Sequence, residues 1–238
     1  MTWSIVARDR DGSFGVAVAS KFFAVGALCP FARSGVGALS TQALVNPLYG
    51  KRGLDLLAQG ITPAETLKSL VGPDAGRDQR QVHMVDAQGR MAAHTGLACI
   101  DWAGHVAGDQ FSVAGNMLAG PRVVEETAAA YARGHALPFA ERLIAALAAG
   151  EAAGGDKRGK QAAALLVCTT EDYPALDLRV DDHEEPLVEL GRLYRKSLER
   201  FQPFLACMAS RARPAGLLDR GTIETEIQRF HAARGKVK

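Results

Sequence analysis

The chain has 238 residues, of which 47% are hydrophobic and 23% are charged, a composition typical of a globular protein with a sizeable core. Its formal net charge is only +2, which excludes the strongly basic character of a nucleic-acid-binding chain. The sequence has no apolar run of about 18 residues and no signal-peptide pattern at its start. We therefore expect a cytoplasmic protein with no nucleic-acid partner and no membrane partner.

The first 45 residues read as strands. Thr2–Arg8 is β-prone and has no polar tail before it, so we expect a central, buried strand with Ile5 inaccessible to solvent. The turn signal at residues 9–12 then leads into Phe14–Ser20, which is apolar on both faces. A third β-like stretch, rich in small residues, covers residues 33–42.

After residue 48 the pattern alternates between helices and strands. Thr62, Pro63 and Glu65 form a helix start, with a capping threonine, a proline in the first turn and an acid that completes the capping box. The predicted helices cover residues 53–59, a segment opening at 62, and residues 121–132, 137–149, 185–210 and 222–233. The further predicted strands cover residues 79–87, 90–95, 101–111, 161–169 and 176–180.

Hairpin-linked strands flanked by helix pairs favour a layered α+β sandwich over alternating βαβ units. We expect a sandwich domain over residues 1–185 and a C-terminal helical extension over residues 186–238. Large apolar residues in the extension, among them Tyr194, Phe201 and Phe204, suggest that it packs on the sandwich or on a partner subunit. We therefore predict a homodimer.

No cofactor or metal site is predicted. The four cysteines are far apart and form no C-x-x-C pair, so reduced, buried thiols are expected. Residues 181–185 contain acids and a histidine, but adjacent residues rarely converge on one ion. Acids that complement the N-terminus of the following helix are the better interpretation of this segment.

The most specific chemical feature is Thr2. Removal of Met1 would give Thr2 a free α-amine, and an α-amine has a pKa near 8, so nucleophile and base would belong to one residue. The alternative is that the chain starts with Met and Thr for no catalytic reason.

Asp156 follows two glycines and precedes a basic cluster and a buried strand. Its carboxylate could orient a catalytic amine, and the glycines permit close approach of the backbone. The alternative is a turn in which Asp156 caps backbone amides.

Arg33 lies in a stretch of small and apolar residues, so a cation there needs a partner or an exit to solvent. We predict a side-chain contact with Asp156 within about 4 Å, and catalysis requires that this pair lie beside Thr2. If Arg33 pairs with another acid, a binding protein becomes the better interpretation.

Side-chain amides and backbone donors near predicted strand ends could stabilise an oxyanion. The candidates are Gln42, Asn46, Gly115 and Asn116. The same residues can equally close turns, and we favour turns for them.

Several segments together resemble an uncharacterised bacterial family of unknown function, placed in the Ntn-hydrolase-like superfamily. They are residues 2–9, 15–20, 35–43, 80–81, 94–96, 115–118, 153–159 and 177–183, and the resemblance extends over about residues 1–195. It implies a four-layer α-β-β-α sandwich.

The opening also resembles proteasome-type β subunits, in which an N-terminal threonine is the nucleophile. That resemblance implies catalytic roles for Thr2, Arg33 and Asp156, with arginine where those enzymes use lysine and Gly159 where they use serine. Two functions follow: an N-terminal-nucleophile amidohydrolase acting on a small amide or peptide-like substrate, or a non-catalytic protein that binds a small molecule or a partner.

Overall fold

The computed structural model describes residues 2–235, in which ten β-strands form two antiparallel sheets accompanied by seven α-helices. The α+β class is as predicted. The strands are β1 (Thr2–Arg8), β2 (Phe14–Ser20), β3 (Pro30–Arg33), β4 (Gly37–Ala43), β5 (Arg80–Asp86), β6 (Met91–Thr95), β7 (Gly104–Gly108), β8 (Phe111–Asn116), β9 (Ala162–Cys168) and β10 (Leu176–Val180). The helices are α1 (Leu48–Ala58), α2 (Pro63–Val71), α3 (Arg122–Arg133), α4 (Phe139–Ala152), α5 (Pro186–Ser197), α6 (Phe201–Leu205) and α7 (Arg220–Gly235).

Strand β1 lies in the middle of the larger sheet, whose spatial order is β10-β9-β2-β1-β8-β7. Its first residue, Thr2, pairs with Ser20 at the end of β2 and with Asn116 at the end of β8. Ile5 is completely buried. The prediction of a central, buried first strand is confirmed.

The smaller sheet has the order β3-β4-β5-β6, and its strands β4 and β5 contact β1 and β8 of the larger sheet. Helices α1 and α2 pack against the smaller sheet, and α3 and α4 pack against the larger one. Side chains alternate along each strand, so every second residue of β1, β4, β5 and β8 faces the space between the sheets. One end of that space holds an apolar cluster of Val6, Phe14, Val16, Ala38 and Val85.

Helix α2 begins as the sequence predicts. The Thr62 hydroxyl accepts a hydrogen bond from Glu65 N, the Glu65 carboxylate accepts one from Thr62 N, and Pro63 opens the helix. This reciprocal bonding satisfies two backbone donors that the helix itself leaves free.

The predicted strand over residues 33–42 is wrong in one respect, because a tight turn divides it. Strand β3 ends at Arg33, Val36 N donates to Arg33 O at 3.1 Å, and Gly35 has φ of 69°. Strand β8 was also not predicted as a separate strand, since the predicted strand over residues 101–111 covers β7 and only the first residue of β8.

The described residues group into two compact units, the first ending at Gly191 and the second beginning at Arg192, inside α5. The predicted helix over residues 185–210 is divided, because α5 ends at Ser197 and the short α6 follows. In the second unit, α6 packs against α7, and Arg200 pairs with Glu224 at 2.5 Å. The predicted domain boundary and the homodimer stay predictions.

Candidate functional site

Thr2 lies where three strand ends meet. Because antiparallel neighbours run in opposite directions, the start of β1 lies beside the ends of β2 and β8. The Thr2 side chain is almost fully buried, and its Oγ1 lies 3.0 Å from Ser20 Oγ. The neighbour of this hydroxyl is therefore a neutral hydroxyl.

Asp156 lies at the same end of the larger sheet, where it supports the segment that follows Ser20. Its Oδ2 accepts a hydrogen bond from Lys21 N at 2.8 Å, and its Oδ1 accepts one from Arg158 N at 2.8 Å. The side chain is 1% exposed, and its charge is compensated by the Arg158 guanidinium at 3.3 Å. The carboxylate thus holds the backbone amide of Lys21, one residue after the partner of Thr2.

Arg33 is not part of this arrangement, so the predicted contact with Asp156 is wrong. Arg33 Nη2 pairs with Asp55 Oδ1 of α1 at 2.8 Å, and both side chains are more than one third exposed. The turn at residues 34–36 places Arg33 at the end of β3 rather than inside a strand. A guanidinium in that position reaches solvent and a surface acid, so it needs no buried partner.

A small cavity of about 50 Å³ adjoins Thr2. Two of its lining residues, Thr2 and Gln42, have polar side chains. The other lining residues are Phe22, Val25, Leu28, Cys29, Ala43 and Val45. Burial raises the pKa of the Cys29 thiol to about 12, so this residue presents a neutral, weakly polar surface to the cavity.

Polar side chains link the two sheets next to this cavity. Seven of them, here called the inter-sheet network, are at most 1% exposed. They are Ser4, Ser40, Gln42, Gln81, His83, Ser112 and Asn116. Because buried polar groups without partners cost free energy, such a cluster persists only when its hydrogen bonds are satisfied.

Gln81 determines the direction of these bonds. Its Nε2 lies 2.8 Å from Gly115 O and 3.1 Å from Gly104 O, and carbonyl oxygens only accept. Its Oε1 therefore faces the other way and accepts from Gln42 Nε2 at 2.8 Å and from Asn116 Nδ2 at 3.1 Å.

The hydrogen-bond direction at Gln42 also determines the donor and acceptor roles of Ser4 and His83. Gln42 Oε1 accepts from Ser4 Oγ at 2.7 Å, which uses the single hydroxyl hydrogen of Ser4. Ser4 Oγ must then accept from His83 Nε2 at 2.8 Å, and His83 Nδ1 accepts from Ser112 Oγ at 3.1 Å. Burial lowers the pKa of His83 to about 3, so the imidazole is neutral with its hydrogen on Nε2.

The candidate oxyanion donors already have partners. Gln42 Nε2 donates both hydrogens, to Gln81 Oε1 and to Ala114 O at 3.1 Å, and Asn116 Nδ2 donates to Gln81 Oε1 and to Thr2 O at 3.4 Å. An oxyanion role for either amide requires that one of these bonds break.

Gly115 and Asn46 also serve the fold. Gly115 lies opposite Trp3 in β8, and a Cβ there would collide with Leu118 and Trp3. The Asn46 side chain accepts from Leu48 N at 3.2 Å at the start of α1, as in the turn interpretation.

Unusual backbone geometry borders the cavity. Ala43, which lines it, has φ of 68°, and Ala24, next to the lining residue Val25, has φ of 52°. Ala43 also lines a second cavity of about 210 Å³ together with Met117, whose φ is 54°. Left-handed φ values are unfavourable for residues with a Cβ and tend to cluster at functional sites.

The part of the chain from 2 to 235 holds no group of three or more His, Cys, Asp or Glu side chains that could bind a metal ion. Over the same residues, no helix combines the length and apolar composition needed to cross a bilayer.

Sequence reasoning missed Ser20 and most of the inter-sheet network, of which it named only Gln42 and Asn116. The signal was present in the strands, because Ser40 and Gln42 in β4, and Gln81 and His83 in β5, are two residues apart. This spacing places each pair on one face of its strand. Polar residues on one face of strands that are otherwise apolar indicate a buried polar layer.

Fold and site thus define an α+β protein with two antiparallel sheets and a small cavity at the start of its central strand. Residues 2–190 match the family of unknown function DUF1028, and the chain belongs to this family. The resemblance to a family of unknown function is thereby confirmed.

Two solved structures are similar to this chain. A crystal structure of a Silicibacter pomeroyi protein assigned to the same family has a TM-score of 0.85 and 31% sequence identity, covering 92% of this chain and 96% of that one. The ancestral β-subunit Anbu from Yersinia bercovieri has a TM-score of 0.38 and 12% identity, covering 82% of this chain and 94% of that one. No curated protein matches the sequence.

Proposed function

We propose that this chain is a small-molecule-binding protein on a four-layer α-β-β-α sandwich of the Ntn-hydrolase-like type, with its binding site in the cavity beside Thr2. One observation carries the proposal. The buried Thr2 side chain lines a cavity whose other walls are largely apolar, and its hydroxyl has a neutral neighbour, Ser20, at 3.0 Å.

The sandwich is supported by the packing of the first unit. Helices α1 and α2 contact the smaller sheet, α3 and α4 contact the larger sheet, and β1 and β4 contact each other across the sheet interface. Such a pairing of two sheets, each with its own helices, is one way to bury both faces of a sheet.

The ligand follows from the lining. An apolar group would fill the space between Val25, Leu28 and Val45, and one polar atom would bond to the Thr2 hydroxyl. A small amide or peptide-like compound has both features, because its carbonyl oxygen accepts a hydrogen bond.

Binding without turnover is favoured by the charges around Thr2. A threonine hydroxyl is a poor nucleophile unless a base lies beside it. The cation expected there, Arg33, pairs with Asp55, and the Asp156 carboxylate accepts its bonds from Lys21 N and Arg158 N. The partners of these two side chains therefore support binding at Thr2 without turnover.

The second candidate function is an N-terminal-nucleophile amidohydrolase, favoured by the position of Thr2 at the start of β1 and beside the cavity. After removal of residue 1, the Thr2 α-amine would accept the hydroxyl proton while Oγ1 attacks the amide carbon. The proton would pass to the leaving amine, and water would hydrolyse the resulting ester.

One experiment separates the two functions. The full chain is analysed by intact mass, incubated with a β-lactone that acylates N-terminal threonine, and mapped by peptide mass spectrometry. Binding of N-acylglycinamides is measured by calorimetry for the wild type, Thr2→Val and Thr2→Ser. The binding protein predicts no adduct on Thr2, and weaker binding in Thr2→Val than in Thr2→Ser.

The opposite result identifies the hydrolase. A free Thr2 amine, an adduct on Thr2 and turnover that survives in Thr2→Ser but not in Thr2→Val would replace the binding proposal. Equal affinity of the wild type and both variants would contradict a ligand site at Thr2 altogether.

A further inference from the structure

We propose that the cavity beside Thr2 selects a linear aliphatic chain, so that the ligand is an N-acyl amide with a saturated acyl group rather than an aromatic one. This inference rests on the proposed binding function and specifies the ligand class of the same site.

The chemistry of the walls favours an apolar group. The two polar side chains of the lining are Thr2 and Gln42, and Gln42 Nε2 already donates to Gln81 Oε1 and Ala114 O. Thr2 thus remains to bond a polar atom of the ligand, while Val25 and Cys29 offer buried contact surface. The binding free energy of a group that enters the cavity past Thr2 therefore comes mostly from the transfer of its apolar surface out of water.

The size of the cavity excludes a ring. Its volume is about 50 Å³, whereas an apolar protein cavity that holds benzene has a volume of about 150 Å³. On the same scale, a chain of roughly two carbon atoms fills a space of this size. A phenyl group would have to displace the buried side chains of Val25 and Cys29, which line the cavity.

The surroundings extend the apolar surface beyond the cavity. Of the eight exposed large apolar side chains among residues 2–191, six follow strands β2, β4 and β6, while Leu137 and Val188 lie elsewhere. The six are Phe22, Phe23, Leu44, Leu48, Leu97 and Ile100. Phe22 lines the cavity itself, and Leu44 and Ile100 line the second cavity, which shares Ala43 with the first.

This concentration of exposed apolar side chains needs a binding explanation, because exposed apolar patches mark interaction sites. Phe22 is exposed and also lines the Thr2 cavity, which assigns it to the distal part of the same ligand chain. The carbons beyond the cavity would lie against Phe22 at its mouth.

The test is a series of N-acylglycinamides, from acetyl to hexanoyl, together with N-benzoylglycinamide, titrated into the full chain by calorimetry. Each methylene that enters the cavity should raise affinity about fourfold, which corresponds to the usual gain of about 0.8 kcal/mol per buried CH₂. Beyond the volume of the cavity the gain should become smaller, and the benzoyl compound should bind more weakly than pentanoyl.

Two variants locate the chain. Val45→Leu fills part of the cavity, so it should weaken binding of the pentanoyl compound about fourfold and leave the acetyl compound unchanged. Phe22→Ser should weaken the hexanoyl compound more than the acetyl compound. The matched controls are Val106→Leu in β7 and Leu137→Ser between α3 and α4, neither of which lines the cavity.

Three results would overturn the inference: constant affinity along the series, a benzoyl compound that binds as tightly as the best aliphatic one, or control variants that act like the cavity variants. If short compounds bind through Thr2 and affinity does not depend on chain length, the proposed binding function is supported but the aliphatic ligand class is wrong. Absence of binding by every compound contradicts both. Self-association that Phe23→Ser abolishes, with ligand affinity unchanged, would make the apolar mouth a subunit interface instead.

Discussion

His83 Nε2 lies 2.8 Å from Ser4 Oγ across the interface of the two sheets, and both residues are completely buried. Ser4 gives its hydrogen to Gln42, so the imidazole must donate from Nε2. A protonated imidazole would carry a charge into a space without a neighbouring carboxylate among its bonded partners, Ser4 and Ser112.

The first prediction is a loss of stability in acid that depends on His83. Its pKa falls from 6.5 to about 3 on folding, chiefly because of burial. Below pH 6.5 the unfolded chain therefore binds a proton at His83, whereas the folded chain binds this proton only near pH 3. Above pH 6.5 His83 does not lower the free energy of unfolding. Between pH 6.5 and about pH 3 it lowers the free energy of unfolding by up to about 1.4 kcal/mol per pH unit.

Urea unfolding of the wild type and His83→Gln between pH 7 and pH 4 checks this. The variant should show the shallower dependence on pH. His135→Gln is the control, since His135 is an exposed histidine between α3 and α4. A wild type and a His83→Gln variant with parallel pH profiles would contradict the prediction, as would a His83 resonance that titrates near pH 6 in NMR spectra.

The second prediction concerns Gln81, which joins the two halves of the network. In Gln81→Glu, a carboxylate oxygen would face Gly104 O and Gly115 O, where Nε2 now donates. A buried charge without donors typically costs about 3–5 kcal/mol. Gln79→Glu makes the same chemical change at an exposed position two residues away and should alter stability by less than about 0.5 kcal/mol. Equal free energies of unfolding for the two variants would show that Gln81 is not the hub of the network.

Local sequence patterns predicted much of the fold. The capping box at Thr62 and the turn between β1 and β2 depend on residues close in sequence, so their signals can be interpreted one segment at a time. Arg33 shows the limit. Residues 33–42 were predicted as one strand. Only Gly35 and Gly37 indicated the turn that places Arg33 at the end of β3, where it pairs with Asp55.

The site depends on residues far apart in the sequence. Gln42 and Asn116 were candidates for an oxyanion role or for closing turns, but each bonds to Gln81 across the sheet interface. No local pattern shows which partner a side-chain amide finds in the opposite sheet. The alternating polar positions of β4 and β5 show that a polar layer exists, without showing how its bonds are directed.

The third prediction is that Arg33 is unimportant for binding at Thr2. Arg33 and Asp55 form an exposed ion pair, and exposed pairs contribute little to stability. Arg33→Ala should leave the melting temperature almost unchanged and keep the affinity for the N-acylglycinamides within twofold of the wild type, with Arg77→Ala as an exposed-arginine control. A tenfold loss of affinity in Arg33→Ala alone would return Arg33 to the site.

The fourth prediction assigns Asp156 a supporting role beside Thr2. In Asp156→Asn, an amide nitrogen would face either Lys21 N or Arg158 N, both of which are donors. The loss of one such bond should cost about 1–3 kcal/mol and accelerate hydrogen exchange at the amides of residues 21 and 158. Asp101→Asn, at a side chain that is 89% exposed, is the control. Unchanged exchange at both amides in Asp156→Asn would refute the supporting role.

The last prediction tests whether backbone strain is stored at the cavity. Ala43 has φ of 68°, a conformation that costs an L-residue about 1–2 kcal/mol and glycine almost nothing. Ala43→Gly should therefore raise the free energy of unfolding by up to about 1 kcal/mol, after subtraction of the larger entropy of glycine in the unfolded chain.

The matched control is Ala93→Gly in β6, at a partly buried alanine that is not among the described residues with positive φ. It should lower stability by about 0.5–1 kcal/mol, so the two substitutions are expected to differ in sign. Because Ala43 lines both cavities, a glycine there also makes the binding wall more flexible. Affinity for the pentanoyl compound should therefore fall while stability rises, the usual exchange between stability and function at a strained site. An equal loss of stability in Ala43→Gly and Ala93→Gly would show that the left-handed backbone conformation of Ala43 does not destabilise the folded protein.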